Sequence, residues 1–376
     1  MKVNVISAFG DPRDGRTWSG TTKNVTKALE DLGILERAFE ALDNNLLFKT
    51  IKQVLRLYYK VKFFGGRHHM MMPFRFTYWR NIAAYSGNLF LNSTKSVNLL
   101  HFSTLSLPKT NNLSFKKNRH FLMIDATWDL WANNSTNINL ISQSSVKVIE
   151  RLERISFDQS AHIFTVSEYV KKNLIHHYNQ APDKITVVGT GTGIIKPYFG
   201  EKDYTNKKIL FVAKGRFEDK GGYLVLDAFE RLLRKFPDAE LNIVGQNDYS
   251  SQISHSKIKT YGFLPLDELQ GLFNACTVFV MPALFEPWGL VYIEAMLCKM
   301  PIIGLNRNAF PEICNYGEFG IGVDIVDSMK IAEALDTILS NPEATRQKGE
   351  KAQKWAIERY TWVNVAKKIS KILSND

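Results

Sequence analysis

Two glutamates stand eight positions apart in the stretch "LFEPWGLVYIEAM": Glu286 and Glu294, with seven mostly apolar residues between them. Carboxylates are costly to bury, so an apolar run carrying two of them is a place to look for chemistry. A second stretch, "AKGRFEDKGG", sets Arg216 and Lys220 in a glycine-rich segment. A guanidinium grips phosphate with two parallel hydrogen bonds, and a lysine adds a mobile point charge. The plainer readings are a solvated loop carboxylate at Glu286, an internally satisfied helix carboxylate at Glu294, and two exposed loop cations.

The elements around these residues favour chemistry. "KKILFVAKGRF" reads as a strand, "GGYLVLDAFERLLRKF" as an amphipathic helix, and "AELNIVG" as a strand. "LDELQGLFNAC" is helical, "TVFVMPA" a strand, "GLVYIEAMLC" a helix and "MPIIGL" a strand. Glu286 therefore falls in a loop at the carboxyl end of a strand. Glu294 falls about a turn into the helix that begins near Leu290. The helix start between them offers N–H groups at Leu290 and Val291, where an anion fits. The order is carboxylate, amide nest, carboxylate, which matches hydroxyl, phosphate, hydroxyl. A nucleotide sugar has that layout. Arg216 and Lys220 lie in the loop of another strand of the same sheet, placed to neutralise a leaving diphosphate.

The first half shows the same alternation. "KVNVISAF", "SVNLLHF", "HFLMIDAT", "IFTVS" and "KITVVGTGTG" are strand-like. "TTKNVTKALEDLG" is a helix ending at Gly33, and "EYVKKNLIHHY" a helix that Ser167 can cap. Strict βα alternation predicts parallel sheets covered by helices on both faces. A chain of 376 residues with 45% hydrophobic content can build two such cores. The expected fold class is α/β, with two doubly wound domains facing a cleft and ligands outside the carboxyl ends of the strands. "GTGTG" at 189–193 lacks dinucleotide-loop spacing and reads as the interdomain connection.

Charge divides the chain. The net formal charge is +11, and all of the excess lies in residues 1–195, with 25 Lys and Arg against 14 Asp and Glu. Between Asp43 and Asp125 there is no acidic residue, while 13 Lys and Arg fall there. Such a field suits an anionic partner, or else it is a solvated basic face kept for solubility. Lys52, Arg56, Lys60, Lys62, Arg67, Arg75 and Arg80 are interleaved with Phe63, Phe64, Phe74, Phe76, Tyr78 and Trp79, a mixture suited to an anionic lipid interface. No apolar run is long enough to span a membrane and no targeting segment is visible. Cys276, Cys298 and Cys314 form no framework, consistent with buried free thiols in a reducing compartment. The expected location is cytoplasmic, with the inner membrane face as a further site. Nucleic-acid binding is disfavoured because no recognised module accompanies the charge.

These segments carry a resemblance. "FVAKGRFEDKGGYLVLDAF", "YGFLPLDELQGLFNACTVFVMPALFEPWGLVYIEAMLCKMPIIG" and "ERYTWVNVAKKISKIL" are similar to the retaining glycosyltransferases of family 4, which have the GT-B fold and an E-x7-E motif. The likeness is dense from about residue 160 onward. "WSGTTKNVTKALEDLG" and "FLMIDATW" carry it more weakly in the first half. The resemblance implies two Rossmann-like domains. Residues 1–192, completed by a C-terminal helix at about 360–376, would bind the acceptor, and residues 193–359 the nucleotide sugar. Glu286 would contact donor-sugar hydroxyls and Glu294 the ribose. Arg216 and Lys220 would hold the diphosphate. Amides around Trp288, Gly289, Leu290 and Val291 would hold sugar and phosphate, and Gly262, Phe263 and Leu264 would line the base. Gly20 would let backbone approach the diphosphate from the first domain.

One departure stands out. The family often has a histidine at the first domain's cleft-facing strand end, whereas here "MIDAT" puts Asp125 there, followed by Thr127 and Trp128. Asp125 is read as orienting the acceptor hydroxyl, with Trp18, Thr127 and Trp128 nearby. His101 is either a cleft residue or a satisfied core histidine. His68 and His69 have no carboxylate or cysteine neighbours, and no D-x-D triplet occurs, so neither a metal nor another cofactor is expected. The predicted reaction is hexosyl transfer with retention from a UDP or GDP sugar to a glycan or lipid-linked hydroxyl, in cell-surface polysaccharide or glycolipid synthesis. The alternative is a GT-B protein that is not a transferase: an epimerase-like enzyme, or a non-catalytic binder of sugar nucleotides or membranes.

Overall fold

Short apolar runs become strands here because helices cover both faces of each sheet. In the computed structural model all five residues of β1 (Val3–Ser7) are buried. The structure describes residues 2–7, 10–40, 97–102, 118–134, 143–245 and 255–374, with positions 50, 53, 54, 57 and 61. The basic and aromatic residues named above between Lys52 and Arg80, and the pair His68 and His69, lie outside the described residues.

The chain divides into two units, Met1–Thr190 with Trp362–Asp376, and Gly191–Thr361. In the first, β1 is followed by α1 (Thr21–Asp31), β2 (Leu35–Glu40), β3 (Asn98–Phe102) and β4 (Arg119–Ile124). Then come α2 (Trp128–Asn134), α3 (Gln143–Gln159), β5 (His162–Thr165), α4 (Glu168–His176) and β6 (Ile185–Val187). The sheet runs β2-β1-β3-β4-β5-β6, all parallel. Ser167 caps α4, its hydroxyl accepting from the Val170 amide at 3.2 Å.

The second unit holds β7 (Lys208–Val212), α5 (Gly222–Leu232), β8 (Glu240–Val244), β9 (Ile258–Tyr261), α6 (Leu266–Ala275) and β10 (Val278–Val280). It continues with α7 (Leu290–Leu297), β11 (Ile302–Leu305), α8 (Phe310–Ile313), β12 (Gly320–Val323), α9 (Ser328–Leu339) and α10 (Pro342–Arg359). Its parallel sheet runs β12-β11-β10-β7-β8-β9. The order reverses direction between β7 and β10, which makes the carboxyl edge there a switch point of the kind at which such sheets bind ligands. The chain then returns to the first unit with α11 (Trp362–Ser374), which buries Val365, Ala366, Ile369 and Leu373 and packs on α1. No helix among the described residues is long and apolar enough to cross a membrane.

One buried carboxylate organises the first unit beyond its sheet. Glu153 of α3 is 1% exposed. It accepts from the Trp128 amide, at 2.8 and 3.0 Å to its two oxygens, and from the Tyr178 hydroxyl. A helix leaves its first N–H groups without intrahelical partners, and Glu153 supplies one for α2. Burial, first, and then the Glu153 charge push the Tyr178 hydroxyl far above its ordinary range, so it stays a donor. Thr127 completes the cap, accepting from the Leu130 amide at 3.3 Å and donating to Asn173 Oδ1 at 2.5 Å. Replacing Glu153 with alanine strands two buried donors. Glu153→Ala is expected to cost about 2–4 kcal/mol in urea unfolding, with Glu153→Gln costing less.

Candidate active site

The loop after β7 and the loop after β10 are drawn together by backbone. The Leu284 amide donates to the Asp219 carbonyl at 2.9 Å. Gly221, at φ +80°, starts α5, and a Cβ there would overlap the Pro282 carbonyl oxygen. Only glycine tolerates both the left-handed backbone and that approach. The approach delivers Lys220, 8% exposed, against Glu286, and the ammonium and carboxylate form a direct ion pair. The two residues expected to serve diphosphate and sugar thus meet. Burial pushes the Lys220 ammonium down, to about 7, with the Arg216 charge adding to it. Contact with the Glu286 carboxylate opposes that shift. Arg216 is exposed, its Nε donating to Asp219 Oδ2 at 3.0 Å.

Beyond Glu286 the chain turns at Gly289, φ +86°, where a Cβ would lie 2.6 Å from the Tyr292 ring and 3.1 Å from Glu286 Cγ. That turn starts α7 at Leu290 and Val291 with no side chain capping it. Trp288 is buried, its ring edge-on to Tyr360 at 6.0 Å between centroids. Glu294, in α7, accepts from the amides of Ile194 at 2.7 Å and Ile195 at 3.3 Å through Oε1. Burial raises its pKa, and those two amides oppose the rise. One oxygen of Glu294 is therefore committed to the segment entering the second unit. Gly262, Phe263 and Leu264 follow β9; Phe263 is 66% exposed, an unshielded ring suited to stacking.

In the first unit, Gly20 sits at φ +84° and starts α1. Trp18 and Ser19 before it are also left-handed, at φ 45° and 53°. Trp18 Nε1 donates to Asp125 Oδ2 at 2.7 Å, so the strand-end carboxylate is fixed by a residue 107 positions earlier. The Trp18 ring also meets Phe102 edge-on. Thr127 and Trp128 both take part in anchoring α2. Thr127 is 2% exposed and caps α2, while Trp128 gives its amide to Glu153 and stacks on Trp131 at 4.8 Å. His101 is a core residue, fully buried on β3, with its Nε2 3.0 Å from His120 Nδ1 of β4. Burial, then His120, hold it well below the usual imidazole range. It therefore presents no surface to an acceptor; a central strand covered on both faces has no room for one.

Sequence reasoning missed Glu153, Lys214, Gly193 and Gly221. Lys214 stands in the quoted "AKGRFEDKGG", but its left-handed backbone, φ +48°, is visible only in the structure. Among the described residues, no group of three or more His, Cys, Asp and Glu is placed to hold a metal ion.

Residues 198–355 match the family model described as glycosyl transferases group 1. An uncharacterized glycosyltransferase of Methanocaldococcus jannaschii is 26% identical over 295 residues, 72% of this chain and 71% of that relative. Among solved structures, a sucrose-phosphate synthase of Thermosynechococcus elongatus superposes with a TM-score of 0.69 at 14% identity, covering 100% of this chain and 99% of that one. Anabaena Alr3699/HepE, solved in complex with UDP, gives 0.64 at 15% identity with 100% of both chains covered. The fold is GT-B, two Rossmann-like domains, and the matches support a GT-B glycosyltransferase.

A Cβ at Gly193 would overlap Glu294 Oε1. Gly193→Ala is expected to displace that carboxylate and to lower stability by about 1–3 kcal/mol in thermal denaturation.

Proposed function

We propose that this chain transfers a hexosyl group, with retention and without a metal ion, from a nucleoside diphosphate sugar to a hydroxyl of a glycan or lipid-linked acceptor. One observation carries the reading: the buried Lys220 ammonium meets the Glu286 carboxylate at the switch point of the second sheet. A cation for phosphate and an acceptor for sugar hydroxyls thus lie side by side, as a diphosphate-linked sugar requires. The UDP complex of the Anabaena protein supports a nucleotide donor, and UDP or GDP is the proposed nucleotide.

Charge accumulates on the departing phosphate as the anomeric carbon–oxygen bond breaks. Lys220 and Arg216 stabilise that charge more than they stabilise the intact donor, which is what lowers the barrier. The acceptor oxygen forms its bond on the face the diphosphate leaves, and its proton passes to the leaving phosphate oxygen. Glu286 serves the donor sugar's hydroxyls. Asp125, oriented by Trp18, aligns the acceptor hydroxyl. Glu294 holds the ribose through its second oxygen, and Phe263 stacks on the base.

The acceptor side belongs to the first unit, where the basic excess lies. Exposed Val54, Leu57 and Val61 recur at helical spacing within the acid-free stretch. They support a peripheral site on an anionic membrane face, and with it a role in cell-surface polysaccharide or glycolipid synthesis. Flotation with anionic liposomes at low salt tests this, and failure to float removes the membrane part.

The enzyme reading is tested by incubating the protein with UDP-, GDP- and ADP-sugars and a panel of glycan and lipid-linked acceptors. Turnover of one donor is expected, with Glu286→Gln reducing kcat/KM by about 10²-fold. Binding without turnover of any donor would leave only the non-catalytic alternative, and conversion of the sugar to its epimer would indicate the epimerase-like one.

Donor binding should also depend on pH. A bound diphosphate stabilises the Lys220 ammonium and so raises a pKa that burial has pushed down. Affinity for the nucleoside diphosphate is expected to be highest below pH 7 and to fall as pH rises through the free lysine's pKa. Calorimetry at pH 8 in buffers of different ionisation enthalpy is expected to show proton uptake on binding.

A further inference from the structure

Arg307 stands at the carboxyl end of β11, in the turn before α8. It is half-buried, and its Nη1 donates to the Leu284 carbonyl at 3.3 Å. Among the described residues its guanidinium has no carboxylate partner. Asp324, after β12, accepts instead from Asn306 Nδ2 at 2.7 Å. The next residue, Asn308, has a left-handed backbone, φ +54°, and its Oδ1 is buried with no donor reaching it. A buried acceptor without a donor is costly, and so is a partly buried cation without an anion. Adjacent in one turn, they call for a ligand that carries an anion next to a hydroxyl.

The strand order says which part of a ligand lies there. Across the parallel sheet the neighbours run β9-β8-β7-β10-β11. Phe263 follows β9, Lys220 lies after β7 and Glu286 after β10. These residues are read above as serving base, diphosphate and sugar, so the donor runs along the carboxyl edge in that order with its sugar toward β11. Arg307 is next in line. Its bond to Leu284 puts the guanidinium at the loop that carries Glu286, two residues away in sequence. Leu284 is thus tied to the β7 loop through its amide and to the β11 turn through its carbonyl.

We infer that Arg307 and Asn308 read the sugar of the donor, and that this sugar is a hexuronic acid. Its C5 carboxylate accepts from the Arg307 fork, whose planar donors match a carboxylate. Its O4 hydroxyl, on the neighbouring carbon, donates to Asn308 Oδ1. A neutral hexose has a hydroxymethyl group in place of the carboxylate and leaves the guanidinium without an anion. The inference rests on the donor reading above and narrows it from a hexosyl to a hexuronosyl group.

Calorimetry tests this with UDP-glucuronate against UDP-glucose, UDP-galacturonate against UDP-galactose, and GDP-mannuronate against GDP-mannose, with UDP and GDP as references. Wild type is expected to bind one hexuronate about 10- to 100-fold tighter than its neutral partner. Arg307→Met is expected to bring that ratio to within about threefold of one by weakening the hexuronate, while UDP or GDP affinity changes less than about twofold. Arg307→Lys keeps the charge without the fork and is expected to retain part of the preference. Asn308→Gly suits the left-handed backbone and is expected to weaken hexuronate and hexose alike, about 3- to 10-fold, since both carry the hydroxyl. Unchanged affinity there would overturn the part given to Asn308. A wild type that binds UDP or GDP and prefers no hexuronate would overturn the inference alone. So would an equal loss in Arg307→Met for hexuronate, hexose and nucleoside diphosphate, which would mark Arg307 as a strut for the Leu284 loop. A wild type that binds none of the nucleotides would overturn the donor reading, and this inference with it.

Discussion

The second unit is arranged around one contact, the pair of buried Lys220 and half-buried Glu286. Neither charge is stable alone in an apolar setting, and burying only one of them would cost several kcal/mol. The contact requires two strand-end loops to approach closely. That requirement explains Gly221 beneath the Pro282 carbonyl, the amide tie from Leu284 to Asp219, and Gly289 folded against Tyr292 and Glu286. Each feature is locally unfavourable or restrictive. Together they make a rigid frame in which a cation and a carboxylate keep a fixed separation. A buried ion pair adds little net stability to a fold, so its value lies in presenting both charges in register.

The first unit solves a related problem with a different device. Its strand-end residue Asp125 is followed at once by α2, so the pose of the loop depends on how that helix is anchored. Glu153 takes the first helix amide and the Tyr178 hydroxyl, and Thr127, Asn173 and Asp129 form a chain of hydrogen bonds across α2 and α4. Trp18 then fixes the carboxylate from the other direction. Asp125 is thus held from two sides by groups distant in sequence, which gives a short acid little freedom to misalign.

The fold was legible where local signals suffice. The core strands are apolar runs ended by turn residues, and the helices between them carry one apolar face, so the βα alternation and two doubly wound parallel sheets followed; the GT-B class came only from the resemblance of the motif segments. Three strands gave no such signal. β2 is an edge strand with exposed positions, β9 is mostly half-buried, and β12 is the glycine-rich "GIGV". At the candidate site, the strand-end placement of Glu286, Lys220 and Arg216 was legible because strand, loop and helix signals bracket them. Position at a strand end suggests acceptor contact for Thr127 and Trp128, and leaves His101 open between a cleft residue and a core histidine. The partners they have, Glu153 and His120, are ones that spacing along the chain does not reveal. Glu153 itself looked like any charged residue of an amphipathic helix.

Lys214 extends the same point to the backbone. A lysine in a loop is ordinary by type, and its left-handed φ is one that only the folded neighbours impose. The second unit, Gly191–Thr361, carries 20 basic and 22 acidic residues, so no general positive field draws an anion to it. Lys220 is partly neutralised by Glu286 and Arg216 by Asp219, so the positive charge at these strand ends is set by short-range pairing.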